Sequence, residues 1–334
     1  MSLVGIIANP ASGKDIRRLV TQALVIGNRE KANIVRRILI GLHAAGASDV
    51  RIMPDTFGIG SMALAGLGDQ AEAGRAVRLL EMPVSGSALD TARAARLLSE
   101  AGAGCIITLG GDGTVRMAAQ GSGEVPLLPI STGTNNVLPG FIEGTVAGLA
   151  AGYLAAQPQA ARQEFCRRAK RLEVHLNGEL RDSALVDIAA LTGSFTGTRA
   201  VWQAADLRLI ASTRAAPTTI GLSSVAGMLD PVDPTEPEGV LVTLSGSPNG
   251  RRVLAPLGPG LVLPLAYSGV TRMQPGQPYP LPPERPLTLA LDGEREIVLK
   301  QGDQAALILA ANGPWIVNVE QVMAHAVRRR AFVI

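Results

Sequence analysis

Cysteine is almost absent: Cys105 and Cys166 are the only two in 334 residues. Two thiols cannot make a disulfide framework, so a reducing compartment is the simpler expectation. Aromatic residues amount to only 3%, too few to build stacking platforms for single-stranded nucleic acid. No apolar run reaches 18 residues, which predicts no membrane-spanning helix. Lysine occurs only at positions 14, 31, 170 and 300, and arginine supplies the remaining positive charge. With 31 Lys+Arg against 28 Asp+Glu, the net charge is +3. That balance argues against a dedicated nucleic-acid binder despite an isoelectric point near 9.1. The opening run Leu3 to Ala8 is apolar but short, lacks a basic flank and meets Asn9-Pro10; it reads as a buried first strand rather than a leader. A soluble, cytoplasmic protein is expected.

What the chain does have is apolar material, 47% of residues against 18% charged. This excludes a disordered chain, which needs low hydrophobicity and high charge. The length is about twice that of a typical domain, so two domains are expected. In the first half, short apolar runs alternate with helical patterns. The runs are Leu3 to Ala8, Asp49 to Met53, Leu79 to Met82, Gly104 to Leu109 and Val125 to Ile130. Between them, Glu30 to Ala45 places Ile34, Ile38 and Leu42 on one helical face, and Asp90 to Ala101 repeats the pattern. Buried strands separated by helices predict a parallel sheet covered on both faces, with ligands at the carboxyl ends of its strands.

A second composition begins near residue 165. Arg171 to Gly178 alternates polar with apolar and ends in Asn177-Gly178, and Ala184 to Leu191 reads as the returning strand of a hairpin. From Pro256 to Pro286, nine of 31 residues are proline, which predicts neither central strands nor helices there. Leu287 to Ala290 and Glu296 to Leu299 read as strands flanking Asp292-Gly293. Trp315 to Ile334 carries a helical pattern with Arg328, Arg329 and Arg330. The resulting organisation is an α/β nucleotide-binding domain over residues 1–160, a mainly β domain over 165–312, and a tail over 313–334 that packs back on the first domain.

Chemistry concentrates in three turns. Leu109-Gly110-Gly111-Asp112-Gly113-Thr114 follows the clearest strand and opens a helical pattern. Glycines permit positive φ and let backbone N–H groups approach an anion, and the following helix adds its positive end, so a phosphate is the expected guest. Asp112 is out of place in a pure anion nest, because a carboxylate repels phosphate. It points to a hydroxyl, a ribose or a magnesium ion; the plain structural alternative is an N-cap. Ala8 to Lys14 follows the first strand, and Ile130-Ser131-Thr132-Gly133-Thr134-Asn135-Asn136 follows the fifth. All three turns fall on one edge of a parallel sheet, where Asn9, Ser12, Thr134 and Asn136 can offer side-chain hydrogen bonds. Better-known motifs fail. Gly13-Lys14 lacks the P-loop glycine spacing, and Arg116 stands where a dinucleotide fingerprint needs its third glycine. Gly58-Ile59-Gly60-Ser61-Met62-Ala63 has the right letters after a poor strand. No G-x-S-x-G, H-E-x-x-H or C-x-x-C occurs, and His43, His175 and His325 have no metal-ligand spacing.

N-P-x-S-G after the first strand, G-G-D-G-T after a middle strand and G-T-x-N after the next resemble the superfamily of NAD kinases and diacylglycerol kinases. The whole chain looks most similar to its acetoin-catabolism protein X branch. That resemblance implies an N-terminal α/β domain, a C-terminal β-sandwich and a nucleotide in the cleft between them. It further implies ATP and Mg2+ as cofactors, and a homo-oligomer, since relatives are commonly dimers or tetramers. Gly110, Gly111, Asp112, Gly113 and Thr114 match the family's phosphate-binding turn, Asn9 a nucleotide-contacting asparagine, and Gly133, Thr134 and Asn136 the G-T-x-N turn. Asp292-Gly293-Glu294 resembles the D-G-E element of the lipid-kinase branch, whose carboxylates are implicated in activating the acceptor hydroxyl. The catalytic candidates are therefore Asp112, Asp292 and Glu294. The sequence also departs from the pattern. Val137 replaces an acidic residue usual in lipid kinases, Pro217 to Ser224 only loosely resembles T-P-T-G-S-T-A-Y, and Val186-Asp187 stands where NAD kinases carry N-E. The NAD-binding half is thus altered.

The leading expectation is an ATP-dependent kinase acting on a hydroxyl of a small metabolite. The alternatives are a non-catalytic nucleotide- or metabolite-binding protein associated with acetoin catabolism, and a lipid kinase, disfavoured because no basic amphipathic helix stands out. Asp112, beneath converging N–H dipoles, is expected to be held ionised. Asp292 is expected to reach the cleft only when the domains close, with a hairpin turn as its structural alternative.

Overall fold

A computed structural model describes residues 2–12, 26–133, 136–192, 206–245, 250–281, 286–293 and 295–333. Thr134 and Glu294 lie outside the described residues. Through the first half the elements follow in chain order: β1 Leu3–Ala8, α1 Asn28–Ala44, β2 Asp49–Ile52, α2 Ile59–Ala65, β3 Val77–Leu79, α3 Leu89–Glu100, β4 Cys105–Gly110, α4 Asp112–Ser122, β5 Leu127–Ser131, α5 Gly144–Ala156 and the single turn α6 Gln159–Arg162. Strands β1 to β5 are parallel in the order β3-β2-β1-β4-β5. Alternation along β1 sends Val4, Ile6 and Ala8 to a core shared with α1 and α5, and Leu3 and Ile7 to a core shared with α3 and α4. Burial on both faces explains why the strands read as continuous apolar runs. Chain order reverses between β1 and β4, so a crevice opens beyond their carboxyl ends.

The second half supplies β6 Cys166–Arg168, β7 Arg171–Leu176, β8 Glu179–Ala184, β9 Asp187–Thr192, β10 Leu207–Ser212, α7 Leu222–Gly227, β11 Gly239–Leu244, β12 Arg251–Gly258, β13 Leu261–Met273, β14 Pro278–Leu281, β15 Leu287–Leu291, β16 Arg295–Leu299, β17 Ala305–Ala310, β18 Trp315–Val317 and α8 Val319–Arg328. A seven-stranded antiparallel sheet runs β12-β13-β11-β10-β9-β15-β16, and a four-stranded sheet runs β14-β17-β7-β8. Leu172, Val174, Leu307 and Leu309 of the small sheet pack against Ile188, Ala190, Leu289 and Leu291 of the large one. The large sheet's other face packs α7 through Leu222, Val225 and Ala226. β18 pairs parallel to β5 and antiparallel to β6, which widens the first sheet to seven strands. Among the described residues, no helix is long and apolar enough to cross a membrane.

Three expectations need correction. The strand returning from Asn177-Gly178 is β8, and residues 187–192 form β9 in the other sheet; the chain breaks between them where a buried carboxylate takes the N–H groups of Leu185 and Val186. The proline-rich stretch does form strands. Pro256 sits on β12, the edge strand, and Pro264 on the part of β13 that pairs only with β12, where a missing N–H breaks no second ladder. Trp315 to Val317 is extended rather than helical. The Gly58 motif, set aside on its poor preceding strand, is a left-handed helix start, φ 68°, whose neighbours Phe57 and Ile59 donate their N–H groups to Asp55, so that turn holds its own carboxylate.

Candidate active site

The three glycine-containing turns meet at the crevice beyond β1 and β4. Asn9 donates its backbone N–H to Leu109 O (3.1 Å) and its side-chain Nδ2 to Thr114 Oγ1 (2.9 Å). Ser12 Oγ lies 3.1 Å from Thr132 Oγ1. Asn136 Nδ2 donates to Ser131 Oγ (2.7 Å) and to Gly133 O (3.2 Å). Asp112 reaches across to the third turn and accepts N–H bonds from Val137 (3.0 Å) and Leu138 (2.8 Å). Each turn is thereby tied to another by a side chain. The candidates Asn9, Ser12, Gly110, Gly111, Asp112, Gly113, Thr114, Gly133 and Asn136 come together in one place.

Glycine is needed here for space and not for a left-handed backbone. None of Gly110, Gly111 and Gly113 has a positive φ, and Gly111 is extended at φ −101°, ψ −171°. A Cβ on Gly110 would stand 2.2 Å from Thr114 Oγ1, and one on Gly111 would stand 2.7 Å from Asn136 Oδ1. Gly111 is the N-cap of α4 and contributes no side chain, and Asp112 does not cap. Thr114 donates its N–H to Gly111 O (3.0 Å), which leaves the first-turn N–H groups of Asp112 and Gly113 for an outside acceptor. An uncapped helix start behind bare backbone is a cradle that fits a phosphate.

Asp112 is not the readily ionised carboxylate that its N–H partners suggested. It is half-buried, and burial pushes its carboxyl up to about 7; the N–H groups of Leu138 and Val137 oppose that shift and the nearby Asp292 carboxylate adds to it. Desolvation outweighs the hydrogen bonds, and the second carboxylate in the same enclosed space adds to the rise.

Asp292 takes the hairpin-turn place that the sequence offered as its structural alternative. It occupies a turn between β15 and β16 with left-handed φ of 49°, followed by Gly293 at 67°, as Asp-Gly in a hairpin favours. Its side chain is fully buried and accepts N–H bonds from Leu185 (3.0 Å), Val186 (2.8 Å) and Asp187 (3.3 Å). Arg116 Nε of α4 stands 4.0 Å away. No domain closure is needed to bring Asp292 to the crevice. Burial raises this carboxyl too, against the pull of three N–H groups and Arg116.

Lys31, Arg116 and Arg214 escaped the sequence reading. Lys31 is 1% exposed in α1, and its Nζ donates to Asn9 O (2.8 Å), Ser12 O (2.8 Å) and Asn28 Oδ1 (3.1 Å). It shares the helical stripe of Val35, Ile38 and Leu42, and a lysine on an apolar stripe was the clue. Lys31→Met should lower stability by about 3 kcal/mol, since bonds to a charged donor contribute about 1.5–3 kcal/mol. The same substitution should weaken whatever ligand the first turn holds. Calorimetric melting checks the first effect, and an unchanged melting temperature would show that the ammonium does not brace the turn.

Comparison with known proteins places these features in a wider setting. The ATP-NAD kinase N-terminal domain matches residues 4–157, and the acetoin catabolism protein X C-terminal domain matches residues 170–312. Acetoin catabolism protein X of Cupriavidus necator is 38% identical over 98% of this chain and 92% of its own length. Among solved structures, a diacylglycerol kinase from Bacillus anthracis str. Sterne covers 95% of this chain and 96% of its own, with 12% identity and a TM-score of 0.45. An NAD kinase from Archaeoglobus fulgidus in complex with ATP covers 99% of this chain and 100% of its own, with 13% identity and a TM-score of 0.39.

Proposed function

Because the chain belongs to the acetoin catabolism protein X family, with an NAD kinase-like first half, we propose that it transfers the γ-phosphoryl group of ATP to a hydroxyl of a small metabolite. The observation that carries this reading is the linkage of three turns around the uncapped start of α4. Phosphoryl transfer demands positioning and charge neutralisation more than covalent chemistry. The backbone N–H groups at Gly111–Gly113 receive phosphate oxygens, and Asn9, Thr114 and Asn136 hold the turns in register. The acceptor oxygen attacks the γ-phosphorus, the new O–P bond forms, and the bond to the bridging oxygen breaks with its electron pair leaving on ADP. The hydroxyl proton passes to Asp112.

A carboxyl held near 7 suits that last task, because a general base works best with a pKa close to the working pH. Asp292, enclosed and occupied by three N–H groups, acts by fixing the 185–187 segment and by keeping Asp112 weakly acidic. Magnesium, when bound to the phosphates, supplies charge neutralisation and needs only one or two protein carboxylates. Asp112 would provide one. No cluster of three or more His, Cys, Asp or Glu side chains makes a separate cage among the described residues.

A second reading, a binding protein without turnover, draws on the same enclosure of Asp292. Incubation with γ-labelled ATP and a panel of hydroxylated metabolites separates the two. The kinase reading expects label in a metabolite, with ADP formed in equal amount. Bound ATP with no labelled product across the panel would leave only the binding protein.

A further inference from the structure

The crevice holds a cationic pair that the phosphate turns do not use. Arg167 is the middle residue of β6, paired with Ile316 of β18. Arg214 follows Thr213, whose N–H donates to Val186 O (2.9 Å) and whose Oγ1 donates to Leu185 O (2.8 Å). Leu185 and Val186 pack in one core with Val115 and Ala118 of α4, Val137 and Leu138 of the third turn, and Ala169. The two arginines thus come from different sheets and flank the same interdomain core on which Asp112 sits.

Both guanidinium groups lie in half-buried residues. Among the described residues, neither makes a hydrogen bond or an ion pair. Arg167 is near enough to Arg214 to lower its proton affinity, while Asp233 partly offsets the burial of Arg167. Burial lowers the proton affinity of Arg214 to about 10, Arg167 lowers it further, and Asp112 and Asp233 partly compensate. Lys170 adds a third positive charge, pushed down to about 8 by burial, but its Nζ is engaged by Glu236 O and Glu238 O at 2.6 Å each. Asp233 is turned toward its own loop, where Thr235 donates to it twice. Two unpaired, mutually repelling arginines in a crevice are costly unless a ligand brings negative charge between them. Guanidinium forks match planar carboxylate and phosphate oxygens.

We propose that Arg167 and Arg214 form an oxyanion subsite beside Asp112, so that the phosphoryl acceptor is itself an anion carrying a carboxylate or a phosphate in addition to its hydroxyl. This rests on the kinase reading for the word acceptor, while the subsite stands on the arginine pair alone. On this reading the crevice runs from the phosphate turns through Asp112 at the reacting hydroxyl to the arginine pair at the anionic end.

Titration calorimetry with glycerate, glycerol 1-phosphate and neutral glycerol tests this on wild type, Arg214→Gln, Arg167→Gln and Gly111→Val. Glycerate should bind wild type and Gly111→Val alike, glycerol should not bind, and each arginine variant should bind glycerate about tenfold more weakly or worse. The stronger of the two anionic probes identifies the group that the pair prefers. Without ligand, Arg214→Gln should melt above wild type, because a repelling cation has gone; Arg214→Lys should keep the repulsion and lose part of the affinity. Unchanged anion affinity in both arginine variants overturns the subsite even if ATP binds normally. Anion binding lost in Gly111→Val but kept in the arginine variants assigns the anion to the glycine turn and overturns it too. Arginine-dependent anion binding in a protein that binds no ATP supports the subsite and removes the kinase reading.

Discussion

Replacing Asp112 with asparagine should lower turnover by about two to four orders of magnitude, the scale of a lost general base, while ATP affinity measured without magnesium stays near wild type. Asparagine keeps an oxygen for the N–H groups of Val137 and Leu138, so the third turn remains clamped. Alanine removes that acceptor and should damage binding and turnover together. Stability should move the opposite way from activity. The folded-state pKa of Asp112 is raised to about 7 from 3.8, so the native protein holds a proton that the unfolded chain releases across that window. This contribution to stability is present below about pH 4 and is lost as the pH rises through 7. Asp112→Asn should therefore match wild-type stability at pH 4 and exceed it by about 2–4 kcal/mol at pH 8. Denaturant unfolding at the two pH values checks the sign. A variant that is less stable than wild type at pH 8 would mean that the carboxylate is a net stabiliser and not a strained base.

Gly111→Val should reduce ATP affinity by about a hundredfold or more, because the side chain fills the cradle that the first turn of α4 leaves open. Its Cβ would meet Asn136 Oδ1 at 2.7 Å, which pushes Asn136 off Ser131 and Gly133. The cost to folding should stay within about 1–3 kcal/mol, typical of overpacking, because Asn136 is partly open and can turn into the crevice. Gly110→Val is the harsher case. It drives into Thr114, which is 4% exposed and receives Asn9 Nδ2, so it should lose both fold stability and binding. Calorimetry with ATP and a melting curve on both variants tests the ranking. Full ATP affinity in Gly111→Val would place the nucleotide elsewhere.

The parts of this fold that were legible in the sequence are those dictated locally. Gly104 to Leu109 is an apolar run closed by glycines, and it became β4 with its turn. Ile34, Ile38 and Leu42 fixed the buried face of α1. The convergence of the three turns also followed, because a parallel sheet puts all its βα turns on one edge. Tertiary burial was out of reach. Asp112 reads as a carboxylate under helpful N–H groups; only the packing of Asp292 and the 137–138 segment around it reveals that desolvation wins. Pro264 argued against a strand until the topology showed one side of β13 unpaired there. Lys31 and Arg214 look like ordinary surface cations, since the turn that covers one and the sheet that brings the other lie far away in the chain.

The most direct test of the central claim is a crystal structure of the protein soaked with ATP and magnesium. The account predicts triphosphate oxygens within hydrogen-bonding reach of the backbone N–H groups at Gly111–Gly113, with the γ-phosphate directed toward the space between Asp112 and Arg214. Nucleotide bound away from the three turns, or crystals free of nucleotide at saturating concentration, would contradict it.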